Sequence, residues 1–416
     1  GQSSRDECGT KRERSLLRPR MTPSEQQPHR FWHDLKLTAG LFVSSRLLVI
    51  AVAVLGPLLF KTDVRFPGRI TDIGWRAYVN VWDVGWYGNV ALGGYRYVAG
   101  GDSNVVFFPA FPLLLRGLNA IGIDFLVAGL LISNLCFAVS LWLFLRLIEK
   151  ETGRRETAEW AAALMAFSPA AAWFSLGLTE SLFLFLTLAL VTAARARRWG
   201  WMLAAGFAAG LTRPNGFLLV LPAIVLVSGA IGEAWRDCRW CPLTAAAIAA
   251  ITPVLGHLSF LGYLQRTFGS WRVYQSTAAE HWHSGLSFSW VTLSQRLPSL
   301  GLHLFDQPMV YIEHVAWSWV FVLAVGAVAA IALWERRAPA WHGVLLFGFM
   351  AFHAFVYQGA TPAGPIARYA AVIPAFYLGL ALFCENRRWA RPATLAFSVA
   401  ALVLQTVMIF AGYHIN

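Results

Sequence analysis

Charge is what this sequence has least of. Asp, Glu, Lys and Arg make up 13% of its 416 residues, about half the share of an ordinary soluble domain. That scarcity excludes a water-soluble globular fold. Hydrophobic residues at 57% and a mean hydropathy of +0.53 show what replaces the charge. The short alternating segments of a membrane barrel are missing too. Apolar residues come instead in blocks of about 20, the length at which a helix crosses a bilayer. The chain reads as an all-α polytopic membrane protein.

Other absences narrow the chemistry. The five cysteines (Cys8, Cys136, Cys238, Cys241 and Cys384) are scattered and make no disulfide framework. Cys238 and Cys241 have C-x-x-C spacing, but no second pair or His cluster accompanies them, so they read as an incidental loop pair. No Asp-x-Asp pair occurs, so a metal-bound nucleotide-sugar is not supported and no cofactor or metal is expected. No internal repeat is visible, which counts against a transporter built from two related halves. The net charge of +12 sits in the tail and in loops of one side, as membrane topology requires. It is not a nucleic-acid signal.

Eleven spans are expected, near 38–60, 124–147, 158–176, 180–195, 199–212, 215–231, 243–264, 313–334, 341–359, 367–383 and 392–413. The segment 107–120 is short and holds Pro109, Pro112 and Arg116. It reads as a re-entrant or interfacial helix, allowed where protein covers it. Residues 1–33 are polar with basic clusters, which predicts a disordered cytoplasmic tail; Met21 offers an alternative start. Residues 34–416 form the transmembrane domain, its first apolar run retained as a signal-anchor. Gly206 and Gly210 form a small-x-x-x-small stripe for helix packing.

Basic loops set the orientation. Lys150, Arg154 and Arg155 follow span two, and Arg195, Arg197 and Arg198 follow span four. Arg336 and Arg337 follow span eight; Arg387, Arg388 and Arg391 follow span ten. The positive-inside rule then places the N-terminus in the cytoplasm and the loops 61–123 and 266–312 outside. On this register Asp83, Glu180, Arg213 and Arg368 all fall on the outer face. Residues so distant in sequence, gathered at one face, predict a single site.

Asp83 lies between Trp82 and the run Val84, Gly85, Trp86 and Tyr87, with Gly93, Gly94 and Tyr95 beyond. A carboxylate beside a membrane domain is costly without a use. Its aromatic neighbours offer flat faces for sugar rings or for the headgroup layer. The plainer alternative is a capping Asp in an interfacial loop. An echo of the motif at Asp72 to Trp75 lies about three helical turns away, too far to share one metal ion. Glu180 is either a helix-start charge favoured by the dipole or a site residue. Arg213, which opens Arg213-Pro214-Asn215-Gly216, and Arg368, before Tyr369, either snorkel to headgroups or clamp a phosphate. The pair His281 and His283 has H-x-H spacing but lacks a third ligand; it reads as ordinary surface or as substrate wall.

Together these motifs resemble the PIG-V family of GT-C glycosyltransferases. The resemblance rests on Trp82-Asp83 with Trp86-Tyr87, Gly94-Tyr95 and Phe107-Phe108-Pro109. Thr179-Glu180-Ser181-Leu182, Leu211-Thr212-Arg213-Pro214-Asn215-Gly216 and Arg368-Tyr369 follow in the same order. It implies a GT-C-like bundle of about 11 helices. It also implies inverting mannosyl transfer from a polyprenyl-phosphate sugar to an acceptor hydroxyl on the non-cytoplasmic face. The acceptor would be a glycolipid, glycan or protein. Asp83 would be the general base, Glu180 would hold the acceptor or assist the base, and Arg213 and Arg368 would bind the donor phosphate. Trp82, Trp86, Tyr87, Tyr95, Phe108, Asn215, Tyr369 and His283 would line the substrates. Length and Ala/Arg richness suggest a bacterial inner-membrane member; in a eukaryote the membrane would be that of the ER. The rival readings are a transporter or flippase of lipid-linked sugars, transfer of another sugar such as arabinose or glucose, and a non-catalytic subunit.

Overall fold

The computed structural model describes residues 23–59, 70–236, 240–281, 285–286, 322–336, 338–357, 366–387 and 389–410. Among them helix dominates. The one extended pairing is a two-residue antiparallel ladder of β1 (Gly285–Leu286) with β2 (Val356–Tyr357). Among the described residues five helices are long and apolar enough to cross a membrane, or six if a bent pair is counted as one span. The protein is an integral membrane protein. All eleven expected spans overlap helix, and several of them are interrupted.

Helix α1 (Pro23–Leu59) has 37 residues and is about 55 Å long, well beyond a hydrocarbon core of about 30 Å. The boundary expected at residue 33 is therefore not one. The helix runs through residues 23–33, and at its start Arg30 pairs with Glu149 while Phe31 packs edge-on against Trp142 at 6.2 Å. Residues 1–22 lie outside the described residues. Next come α2 (Ile70–Val79), α3 (Val84–Gly93), α4 (Ala110–Ala120) and α5 (Phe125–Thr152). α4 occupies the segment expected to be a short helix and is only about 16 Å long. Asp124 caps α5 by accepting from the Leu126 amide at 3.1 Å, and Arg76 anchors that Asp at 2.8 Å.

Proline sets the interruptions. α6 (Arg155–Ala166) gives way to a 3-10 turn at Pro169–Ser175, and the chain bends by 99° into α7 (Glu180–Arg195). α8 (Trp199–Gly210) breaks before a second 3-10 turn at Pro214–Leu219, which leads into α9 (Val220–Arg236). α10 (Trp240–Phe268), α11 (Val273–Glu280), α12 (Val322–Glu335) and α13 (Ala340–Phe355) follow. α14 (Ile366–Ala370) then stops short of α15 (Pro374–Cys384), and α16 (Ala390–Phe410) ends the described chain. Pro169, Pro214 and Pro374 each stand at the start of the element after a break, where the missing N–H costs nothing.

Irregular backbone inside a membrane protein needs partners for its carbonyls. At the 99° bend side chains supply them. Ser133 donates to the Leu178 carbonyl at 3.0 Å, Asn134 to Ser175 at 3.1 Å, and Ser181 to Phe174 at 3.1 Å. Gly129 and Gly177 let the two backbones touch; a Cβ on Gly129 would lie 3.1 Å from the Gly177 Cα. Pro253, inside α10, cannot serve the Ala249 carbonyl, and the Thr252 hydroxyl serves it at 2.8 Å.

The two ends of the bundle differ. At one end ion pairs tie helix to helix. Arg155 reaches Asp34, Glu149 and Glu159, while Arg154 and Arg336 share Glu385. Buried Glu151 takes Arg195 at 2.7 Å, His342 at 2.9 Å and the Trp341 indole at 3.0 Å. The other end is marked by Glu180, which is separated from Arg195 by the length of α7, about 22 Å.

Gly206 and Gly210 sit where α8 crosses α10. A Cβ on Gly210 would lie 2.0 Å from the Pro253 carbonyl, and one on Gly256 2.2 Å from that of Phe207. Gly210→Val should therefore lower the melting temperature in detergent by several degrees, from overpacking of roughly 1–3 kcal/mol. Gly229→Ala, where a Cβ meets nothing within 4 Å, should not lower it. Equal melting of the two variants would show that α8 and α10 do not cross at these glycines.

Candidate active site

Each break in the helices delivers one charged residue. Trp82 takes φ = 59°, a left-handed conformation that a bulky residue adopts only under constraint, and the chain turns there into α3. Asp83 is the N-cap of α3, yet its side chain makes no capping bond. The carboxylate is left to point elsewhere. Glu180 opens α7 at the foot of the 99° bend. Arg213 is extended, with φ = −147°, just before the second 3-10 turn. Arg368 lies in the short α14.

These four meet. Nη2 of Arg368 lies 2.9 Å from Oδ2 of Asp83, and its Nε bonds Oε1 of Glu180. Nη1 of Arg213 lies 3.1 Å from the same Glu180 oxygen. The order is Asp83, Arg368, Glu180, Arg213, with alternating sign and no net charge. Side-chain exposure is 24% for Asp83, 10% for Arg368, 4% for Arg213 and 0% for Glu180. Asp83 is thus the member that opens to solvent, and Glu180 is sealed beneath. The second oxygen of Glu180, Oε2, accepts no hydrogen bond among the described residues.

Both arginines lie on aromatic rings. The Arg368 guanidinium carbon is 5.0 Å from the Trp173 ring centre, and that of Arg213 is 4.7 Å from Tyr369. Trp82 meets Trp173 edge-on at 5.7 Å, and His353 stacks on Tyr369 at 4.9 Å and 11°. Trp173 and His353 belong to no motif singled out in the sequence. Nothing local announces them: Trp173 follows three alanines, and His353 lies in an apolar helix.

The remaining aromatic candidates divide. Half-buried Trp86 stacks on Phe107 at 5.8 Å and 12°. Tyr87 is buried against Phe107 and Phe111, with its hydroxyl 3.4 Å from Thr179 Oγ1 beside Glu180. Burial, and then the nearby Asp83 and Glu180, pushes that hydroxyl's pKa up, so it stays neutral. Tyr95 donates to the Phe107 carbonyl at 2.7 Å. Phe108, 1% exposed, is packed among His257, Phe260 and Tyr274 and as placed offers no face to a ligand.

The Arg213 seam is pinned to this layer, because the Ala110 amide donates to the Leu211 carbonyl at 2.9 Å. Gly216 is required there: its Cβ would lie 2.3 Å from the Ala209 carbonyl. Asn215 is buried, and its Oδ1 accepts no hydrogen bond among the described residues. His281 is exposed at the end of α11. His283 and Cys238 lie outside the described residues, so neither the H-x-H nor the C-x-x-C pair is seen whole. Asp72 does not share one helix with Asp83, since α2 is kinked at Gly74 and ends at Val79.

Residues 42–230 match the model of the mannosyltransferase (PIG-V) family. No curated protein matches the chain by sequence. Among solved structures the fold is similar to the apo oligosaccharyltransferase of Archaeoglobus fulgidus. That likeness has 14% identity and a TM-score of 0.45 over 90% of this chain and 55% of that one. It is similar also to ArnT from Cupriavidus metallidurans bound to undecaprenyl phosphate. There the identity is 13% and the TM-score 0.42, over 89% of this chain and 76% of that one. The chain spans about half the length of the archaeal enzyme it matches. The family match takes in Asp83, Glu180 and Arg213, covers a little under half of the chain, and supports a membrane glycosyltransferase similar to that family.

Proposed function

We propose that the protein transfers a mannosyl residue from a polyprenyl-phosphate sugar to an acceptor hydroxyl, with inversion, at the face opposite its basic loops. The observation that carries this reading is the exposure gradient of the buried quartet. The carboxylate that opens outward is backed by two arginines that cannot lose their charge. In the step, the acceptor oxygen bonds to the anomeric carbon and its proton passes to Asp83. The bond from that carbon to the phosphate oxygen breaks, and its electron pair stays on the leaving phosphate. Arg368 and Arg213 stabilise the charge that develops there. Glu180, sealed between the arginines, holds their positions and their balance of charge. Trp86, one turn beyond Asp83 on α3, would wall the sugar. No residue of this scheme calls for a metal ion or cofactor. On the positive-inside register this face is the non-cytoplasmic one.

A general base contributes about 100- to 10,000-fold to such a step. Asp83→Asn, similar in shape, should insert normally and lose at least about 100-fold in transfer of radiolabelled mannose from polyprenyl-phosphate-mannose. Full activity in that variant would end the base assignment. Arg213→Ala should raise the Michaelis constant for the donor more than that for the acceptor; an unchanged donor constant would remove the phosphate role. Mass spectrometry of lipids and glycans from cells lacking the gene should identify the acceptor as the species that loses a hexose. A profile in which no species loses one would count against the transfer itself.

A further inference from the structure

A guanidinium that must release one anion and take another needs a support that leaves its N–H edge free. A hydrogen bond cannot supply that, because it occupies the edge. An aromatic face can, since it holds the plane of the cation and leaves all five N–H groups pointing outward. Both arginines have such a support. Arg368 lies 5.0 Å over Trp173, which Trp82 backs edge-on at 5.7 Å. Arg213 lies 4.7 Å over Tyr369, which His353 backs in a near-parallel stack at 4.9 Å. Trp173 is 2% exposed and His353 8%, so water does not compete for these faces.

We propose that Trp173 and His353 are positioning residues of the site: they hold the Arg368 and Arg213 guanidinium planes while their N–H edges take up a substrate phosphate. Trp173 acts directly on Arg368; His353 acts through Tyr369 on Arg213. The Trp82–Trp173 contact adds a link to the base, because Trp82 is the strained residue that turns the chain into Asp83. One support therefore serves two functions at once, seating the cation and fixing the carboxylate beside it. This rests on the reading of the site as one for a prenyl-linked phosphate.

The test uses the full chain in nanodiscs, with farnesyl phosphate as a sugar-free probe. Binding is measured for the wild type and for Trp173→Ala, Trp173→Phe, His353→Ala and His353→Phe, alongside the melting temperature of each. The alanine variants should bind about tenfold more weakly, the range a desolvated cation–π contact carries. The phenylalanine variants, which keep a flat face, should recover most of that loss. Transfer assays should show the same pattern in the donor Michaelis constant, with a smaller fall in kcat. If the wild type binds the probe and the alanine variants bind it equally well, the positioning role is wrong. Alanine and phenylalanine variants that lose binding in step with melting temperature would likewise reduce both rings to packing. Absence of binding by the wild type would overturn the phosphate reading itself, and this inference with it.

Discussion

Two carboxylates and two arginines in alternating order make the constraint to which the rest of the molecule conforms. A lone ion in a low-dielectric interior costs several kcal/mol even after relaxation. A chain of alternating sign avoids that, but only with each member present and in place. Glu180 shows the logic most plainly. At 0% exposure it would be untenable as a free anion, and Arg368 and Arg213 flank a single one of its oxygens. The arginines in turn need it. Removing Glu180 would leave two cations side by side beneath Asp83. Charge balance alone makes these residues a unit, before any substrate is considered.

The backbone follows from that unit. A straight helix carries its side chains around its own axis and cannot lend its end to the middle of a site. Four residues from four parts of the chain converge because the chain is broken beside each of them. Strain at Trp82, a sharp bend before Glu180, an extended Arg213 before Pro214 and a single-turn helix around Arg368 perform the same service. Each break exposes carbonyls that a membrane protein has to satisfy. Ser133, Asn134 and Ser181 answer this at the bend, as Thr252 does at the proline in α10. The polar residues scattered through apolar helices are therefore part of the site's scaffold. The opposite end needs no such breaks. There the ion pairs among Asp34, Glu149, Glu151, Glu385 and their arginines close off regular helix ends.

Much of this was legible in the chain, for identifiable reasons. Apolar blocks of bilayer length gave the membrane class and the place of each helical segment. The scarcity of charge made each charged residue in an apolar setting conspicuous, and the four brought together are those the loop charges had assigned to one face. Residues paired through charge leave a trace in sequence; residues paired through shape leave little. Trp173 and His353 read as ordinary core positions. Phe108, conspicuous between Phe107 and Pro109, is packed out of reach. The interruptions were hidden because hydropathy sums over a window and does not register a bend inside it. The prolines that mark them, Pro169, Pro214 and Pro374, were visible but unweighted. Residues 30–33 misled for the opposite reason: polar composition suggested disorder, while the partners of Arg30 and Phe31, Glu149 and Trp142, lie more than a hundred residues away.

Neutrality at rest has a consequence for how such a site accepts an anion. Adding a phosphate to a balanced quartet creates an excess of negative charge unless something yields. Glu180 cannot move away, being fully enclosed. Asp83 can, since it is the most exposed member of the quartet and among the described residues is tied by Arg368 alone. In the proposed reaction the entering anion competes with Asp83 for Arg368, and the carboxylate it displaces is the proposed base. The proton that reaches Asp83 in that reaction is matched by the charge gained on the leaving phosphate, so the total charge of the site does not change. Arg368 serves the carboxylate before the step and the phosphate after it. The proposed base and phosphate site are thereby coupled through Arg368.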